Sequence, residues 1–140
     1  MSDLRVGDEP RWITEAILLA IHARQIERYG GAHGVRDKGV VLSSLARPIN
    51  RRAYDSEADF ADLGASCLVG FARSQGFTDG NKRTALACAL VFLAINGFVL
   101  HVPPVELYEL TMSAALGKGD DASVARYLRD HLLPSRPTRS

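Results

Sequence analysis

The residues best equipped for chemistry run consecutively: Gln75-Gly76-Phe77-Thr78-Asp79-Gly80-Asn81-Lys82-Arg83-Thr84. Asp79-Gly80-Asn81 is a tight-turn sequence, and the apolar stretch after it reads as a helix. The first amides of a helix lack intrahelical acceptors and point into the preceding loop, where the helix dipole adds partial positive charge. Gly80 permits a backbone nest and close approach of a ligand. Lys82 and Arg83 add two full positive charges. Together these features make a cradle for phosphate. Asp79, one carboxylate beside the cradle, is placed to hold Mg²⁺ while phosphate oxygens supply other ligands. Phe77, apolar within a polar loop, is an anchor reaching into the core. Asp-Gly-Asn is also ordinary turn chemistry, and Lys-Arg after it is also compatible with a solvated helix face. The coincidence of all these features in one short segment favours the anion site.

The elements that must position this loop are helical. A first helix is expected over 10–29, opened by Pro10, patterned by Ile13, Ile17 and Ile21, and stopped by Gly30-Gly31. Residues 32–35 read as loop. Asp37 caps a second helix running to about Ala46 and ended by Pro48. Ile49, Asn50, Arg51, Arg52, Ala53 and Tyr54, with the two residues after them, have no helical period and read as an exposed loop or short hairpin. A third helix covers 58–74, with Leu63, Cys67 and Phe71 on one face. A fourth covers 82–95, and its alanines with Leu86, Leu90 and Leu93 suggest burial nearly all round. Asn96-Gly97 ends it, and 98–102 reads as a short extended piece. Pro103-Pro104 opens a fifth helix to Leu116, and Asp121 or Ser123 opens a last one to Leu133. Short connections between five or six helices predict an all-α bundle. The domain is expected over 10–133, between a flexible N-terminus (1–9) and a flexible C-terminal tail (134–140).

Bulk properties narrow the function. The 140 residues suit one ordinary domain with a real core. Seventeen basic residues against 16 acidic ones leave a net charge of +1, so no overall field draws the chain to nucleic acid or an anionic membrane, and any anion site must be local. Cys67 and Cys88 lie in apolar helical stretches, which reads as core packing in a reducing cytoplasm and not as a disulfide or metal site. Met1-Ser2-Asp3-Leu4-Arg5 has no secretory h-region, and the apolar stretches fall short of a membrane span. His22, His33, His101 and His131 show no metal-ligand spacing; each reads as a surface or core-satisfying residue, although His22 and His33 are able to approach the motif. Arg47, Arg51 and Arg52 read as a solvated face, or as a docking surface for an acidic partner.

The loop resembles the Fic/Doc motif His-Pro-Phe-x-Asp/Glu-Gly-Asn, which continues as Lys-Arg-Thr in the death-on-curing branch. The match falls on Phe77, Asp79, Gly80, Asn81, Lys82, Arg83 and Thr84. Arg28-Tyr29-Gly30-Gly31, Gly34-Val35-Arg36-Asp37 and Leu45-Ala46-Arg47-Pro48 are similar in order and spacing to the N-terminal half of such proteins, and Asn96-Gly97 with 107–115 to the C-terminal half. The resemblance spans about Trp12 to Leu132. It implies a bacterial, cytoplasmic toxin of a toxin–antitoxin pair that binds ATP or another nucleoside triphosphate with Mg²⁺. Such a toxin transfers AMP or a phosphoryl group to a hydroxyl of a target protein, elongation factor Tu being one candidate. By the same resemblance Asp79 would hold Mg²⁺, Gly80, Asn81 and Lys82 would form the anion nest, and Lys82 and Arg83 would neutralise phosphate charge. The segment 49–54 would be the flap that pairs with an extended piece of the target by strand addition.

Two departures bear on activity. The family places its general-base histidine where this chain has Gln75. An amide orients a hydroxyl but does not take its proton near neutral pH. Loss of a positioned base costs about 10²–10⁴-fold in rate. Whether the chain is an enzyme is therefore open: Gln75 is either natural, leaving a silent nucleotide- or antitoxin-binding module or an unusual catalyst, or an introduced change that tames a toxic protein. Gly76 replaces proline, a matter of loop stiffness. Gly80 is shared with AMP-transferring relatives, whereas Lys82 is shared with the death-on-curing branch, so the transferred group stays open. The family's inhibitory helix carries a Ser/Thr-x-x-x-Glu pattern, and neither Thr14 nor Ser123 has a glutamate four residues on. Control is therefore expected in trans, from an antitoxin whose disordered C-terminal segment folds as an amphipathic helix into a groove here, its acidic residues facing Lys82 and Arg83.

Overall fold

The computed structural model describes residues 3–135. Among them the helices are α1 (Glu15–Tyr29), α2 (Lys38–Tyr54), α3 (Phe60–Ala72), α4 (Asn81–Ile95), α5 (Pro104–Ala115) and α6 (Asp121–His131). The expected helical bundle forms, with one small addition. Strand β1 (Phe98–Leu100) pairs antiparallel with β2 (Leu132–Pro134), Val99 lying opposite Leu133. The last helix accordingly stops at His131, because the chain leaves helical geometry at Leu132 (φ −72°, ψ 137°) and pairs with β1.

Polar caps fix where most helices begin. Thr14, Asp37, Asp59 and Asp120 each accept an amide hydrogen bond from the first turn of α1, α2, α3 and α6. The Thr14 cap places the start of α1 at Glu15, not at Pro10. Asp59 and Asp62 form a reciprocal capping box.

The central helix is α3. It is buried from Ala61 to Ala72 except at Asp62 and Gly70, and it packs on α2, α4, α5 and α6. Small residues allow this: a Cβ on Gly64 would sit 3.1 Å from Leu93 and 3.3 Å from Leu128. The helix expected to be buried nearly all round, α4, instead buries a stripe of Thr84, Ala85, Cys88, Ala89, Phe92 and Leu93. Cys67 and Cys88 are free thiols packed across the α3–α4 contact at 3.4 Å. The hydrogen bond to Cys88, together with burial, pushes the Cys67 thiol well up.

The segment Ile49, Asn50, Arg51, Arg52, Ala53 and Tyr54 is the end of α2, not a loop or hairpin. Pro48 lies inside the helix, where its ring removes the amide that would have bonded Ser44. Burial of Pro48 and side-chain anchoring offset that loss. Arg51 bonds Asp55 one turn on (3.2 and 3.3 Å) and reaches Asp62 at 3.8 Å, and Arg52 bonds the Ser56 carbonyl at 2.6 Å. Strand addition by this segment would require the last turns of α2 to unwind.

Ahead of α1, Leu4 and Val6 pack against the core, and the Leu4 carbonyl accepts from the Phe60 amide at 2.9 Å. The expected C-terminal tail lies outside the described residues from position 136 on. No helix among the described residues is long and apolar enough to cross a membrane.

Candidate anion site at the start of α4

The motif loop between α3 and α4 is held from three sides. The Asn81 side chain closes it from within: its Oδ1 accepts from the Phe77 amide at 2.9 Å, and its Nδ2 donates to the Phe77 carbonyl at 3.0 Å. Phe77 is the expected anchor, 1% exposed and stacked on His22 with ring centroids 3.9 Å apart. His22, on the buried stripe Leu18–His22–Ile26 of α1, also lies 2.8 Å from the Asp79 carbonyl through Nε2. The carbonyl only accepts, so Nε2 carries the hydrogen.

The third side is the glycine-rich segment after α1. The Gly34 carbonyl accepts from Thr78, and the Gly76 carbonyl accepts from Arg36 and Asp37. Val35 and Phe77 form an antiparallel bridge. Gly31 (φ 113°) approaches so closely that a Cβ there would sit 3.1 Å from the Asp79 Cβ. The Ala32 amide donates to Asp79 Oδ2 at 2.8 Å. Gly76 is buried against α2, where a Cβ would lie 2.7 Å from Val41 Cγ2, so its smallness is a packing requirement as well as a matter of stiffness.

Gly80 is left-handed (φ 77°, ψ 21°) and opens α4 with no side-chain cap, unlike Thr14, Asp37, Asp59 and Asp120 at their helices. The first backbone bond of α4 runs from Thr84 to the Gly80 carbonyl, so the amides of Asn81, Lys82 and Arg83 precede it. Lys82 is exposed and pairs with no carboxylate among the described residues. The Arg83 guanidinium donates to the carbonyls of Gln25 (3.2 Å) and Gly30 (3.0 Å) at the end of α1 and lies 5.5 Å over the Tyr29 ring. Gly80, Asn81, Lys82 and Arg83 share an open pocket of about 400 Å³ with Tyr108 and Met112 of α5.

The expected site residues therefore divide. Gly80, Asn81, Lys82 and Arg83 converge on one pocket, and Asp79 adjoins it. Gln75 is exposed, does not line the pocket, and has no side-chain hydrogen bond among the described residues. Asn50, Arg51 and Tyr54 line a separate depression with Ser43, Arg47, Ser66 and Asp121. Arg47 bonds the Ser66 carbonyl and Asp121, and Arg52 bonds Ser56, so much of this arginine group serves internal contacts. His33 and His101 are exposed, and His131 bonds the Tyr127 carbonyl. The residues not anticipated are Tyr108, Met112 and the loop-holding role of His22. His22 was findable from its fourfold spacing with Leu18 and Ile26; nothing in the sequence points α5 at the motif.

A single carboxylate with one oxygen bonded to Ala32 suits a cation whose other ligands come from phosphate and water, as Mg²⁺ prefers. Among the described residues no three His, Cys, Asp or Glu side chains gather as a self-sufficient metal site.

A family model described as Fic/DOC matches residues 12–93. The chain is similar to the protein kinase doc of Escherichia phage P1, with 42% identity over 119 residues that cover 85% of this chain and 94% of that one. It is also similar to the toxin Doc of Mycolicibacterium smegmatis, with 41% identity over 73 residues covering 51% of this chain and 56% of that one.

Proposed function

The chain belongs to the Fic/Doc family, and on that premise we propose that it is the toxin of a toxin–antitoxin pair, built to bind a nucleoside triphosphate with Mg²⁺ and attenuated in group transfer by Gln75. The observation that carries this reading is the uncapped, glycine-opened start of α4, with Lys82 and Arg83 beside three amides that precede the first helical bond. Phosphate oxygens satisfy such amides and meet the helix dipole favourably. Asp79 is the residue that would hold Mg²⁺, whose charge helps neutralise the phosphates. Lys82 supplies an exposed cation, and Arg83 adds its charge while tying the site to α1.

Transfer of AMP or phosphoryl to a Ser or Thr hydroxyl further needs a group to accept that hydroxyl's proton. Gln75 occupies the motif's histidine position and does not titrate there. The missing titratable group at that position is what supports the second reading, a nucleotide- or antitoxin-binding module without transfer activity. The deciding experiment compares this chain with Gln75→His for label transfer from α- and γ-labelled ATP to a bacterial extract and to purified elongation factor Tu, and for growth arrest on induction. Activity and toxicity appearing, or rising about 10²–10⁴-fold, only with histidine is the expected result. Equal transfer by both chains would show that another group serves as base. Silence from both, with nucleotide bound, would favour the binding module.

A further inference from the structure

We propose that Cys67 and Cys88 form a dithiol site that a hydroperoxide oxidises to a disulfide, joining α3 to α4 on either side of the motif loop. The two sulfurs already touch: the Cys67 thiol donates to the Cys88 sulfur at 3.4 Å. Both side chains are free thiols, 2% and 0% exposed, and the anion site uses neither. A disulfide needs the sulfurs about 2.05 Å apart, so they must close by roughly 1.4 Å. The two helices pack directly on one another, and Ala85 and Ala89, flanking Cys88 on the buried stripe of α4, present only methyl groups. Residues 67–88 enclose residues 75–84, so the bridge would make the whole motif segment a closed loop.

A cavity of about 10 Å³ borders both thiols, and space of that size holds about one water-sized molecule. It gives the sulfurs room to shift and a small oxidant a place beside them. Ser44 of α2 adds a hydroxyl to its wall, and Pro48, which also lines it, supplies no amide to the Ser44 carbonyl. The one non-helical part of the wall is Trp12 and Ile13, ahead of α1. Half-buried Trp12 stacks on Phe92 and bonds Glu9, so opening this segment admits an oxidant without unpacking any helix. The hydrogen bond to Cys88 and burial push the Cys67 thiol well up, so Cys67 keeps its proton and Cys88 makes the first attack. With hydrogen peroxide, the Cys88 thiolate takes one oxygen as a sulfenic acid, and the other leaves with the released proton as water. The Cys67 sulfur then attacks the Cys88 sulfur, and the sulfenic oxygen leaves as a second water with the Cys67 proton. The sulfur pair gives up two electrons, and the peroxide receives them.

Hydrogen peroxide added to the reduced full chain in native buffer tests this, with remaining thiols alkylated under denaturing conditions and the intact mass read. The expected product is a monomer that has lost two hydrogens and both alkylation sites and regains them with dithiothreitol. Its urea midpoint should exceed that of the reduced chain, because the bridge restricts the unfolded state. Emission from Trp12, the single tryptophan, should change in step with the mass. Cys67→Ser should stop at a Cys88 sulfenic acid that dimedone traps, whereas Cys88→Ser should keep its Cys67 thiol. A parent that gains oxygen without losing hydrogens, or that forms disulfide-linked dimers, would overturn the site. So would thiols that both survive peroxide in the folded chain and disappear only once urea unfolds it. An oxidised monomer with an unchanged urea midpoint would overturn the joining of α3 to α4.

Discussion

His22 holds the motif loop without belonging to it. Its ring stacks on Phe77, and its Nε2 donates to the Asp79 carbonyl, so one buried side chain of α1 fixes the loop at two points. His22→Phe preserves the stack and removes the donor. We expect a loss on the order of 1 kcal/mol from the unmade hydrogen bond, read as a lower melting temperature. Nucleotide affinity should fall as well, because the peptide released is the one that leads into Gly80. A variant that melts and binds like the parent would show that the stack alone sets the loop. Gln75 differs in kind: it is exposed and without side-chain partners, so its replacement by histidine should change chemistry with little change in stability.

At the scale of elements, the site is a junction of three segments. The start of α4 supplies amides and cations, the end of α1 supplies carbonyls for Arg83, and the segment after it supplies the Ala32 amide to Asp79. The N-terminal half of α2 backs the loop at Gly76. Gly76→Ala would place a Cβ 2.7 Å from Val41 Cγ2 and 3.3 Å from the Val41 amide nitrogen. Overpacking of this sort costs about 1–3 kcal/mol. The denaturation midpoint should drop accordingly, while Gly7→Ala, with nothing within 4 Å of its added carbon, should stay within about 0.5 kcal/mol of the parent. Equal midpoints for the two variants would mean that α2 and the loop separate freely.

At the scale of the whole molecule, a charge network joins three helices. Arg129 of α6 bonds Asp59 and Asp62 at the start of α3 (3.0 Å each at closest), and Arg51 of α2 reaches Asp62 at 3.8 Å. Partial burial raises the Asp59 pKa, but the Arg129 hydrogen bonds and the Asp62 amide outweigh it and hold the carboxyl below the usual carboxylate range. A carboxyl with a lowered folded-state pKa contributes stability above its unfolded value, about 3.9, and that contribution fades as pH falls toward the folded value. Stability should therefore decline from about pH 4 downward. Asp59→Asn keeps a good helix cap but removes the charge, so it should be less stable at neutral pH and show a shallower acid decline. Urea midpoints measured from pH 3 to 7 check this. An unchanged acid slope in the variant would assign the decline to other carboxylates.

Local chemistry in the sequence determined much of this protein. Asp37 caps α2, Phe77 anchors the loop, Gly80 turns the chain into α4, and Cys67 with Cys88 packs the core, because each property depends on a residue and its near neighbours. The spacing of 75–84 also carried the family resemblance. Tertiary structure decided the rest. Pro48 reads as a helix end, yet its burial and the anchoring of Arg51 and Arg52 carry α2 on to Tyr54. The composition of α4 suggests burial nearly all round, but α3 takes the centre because its small residues admit neighbours from several sides. Leu132 continues an apolar helical pattern, yet pairing with β1 draws it into a strand. Tyr108 and Met112 stand 25 or more positions beyond Arg83, and no local rule reaches that far. They meet the cradle only because α4 and α5 pack side by side.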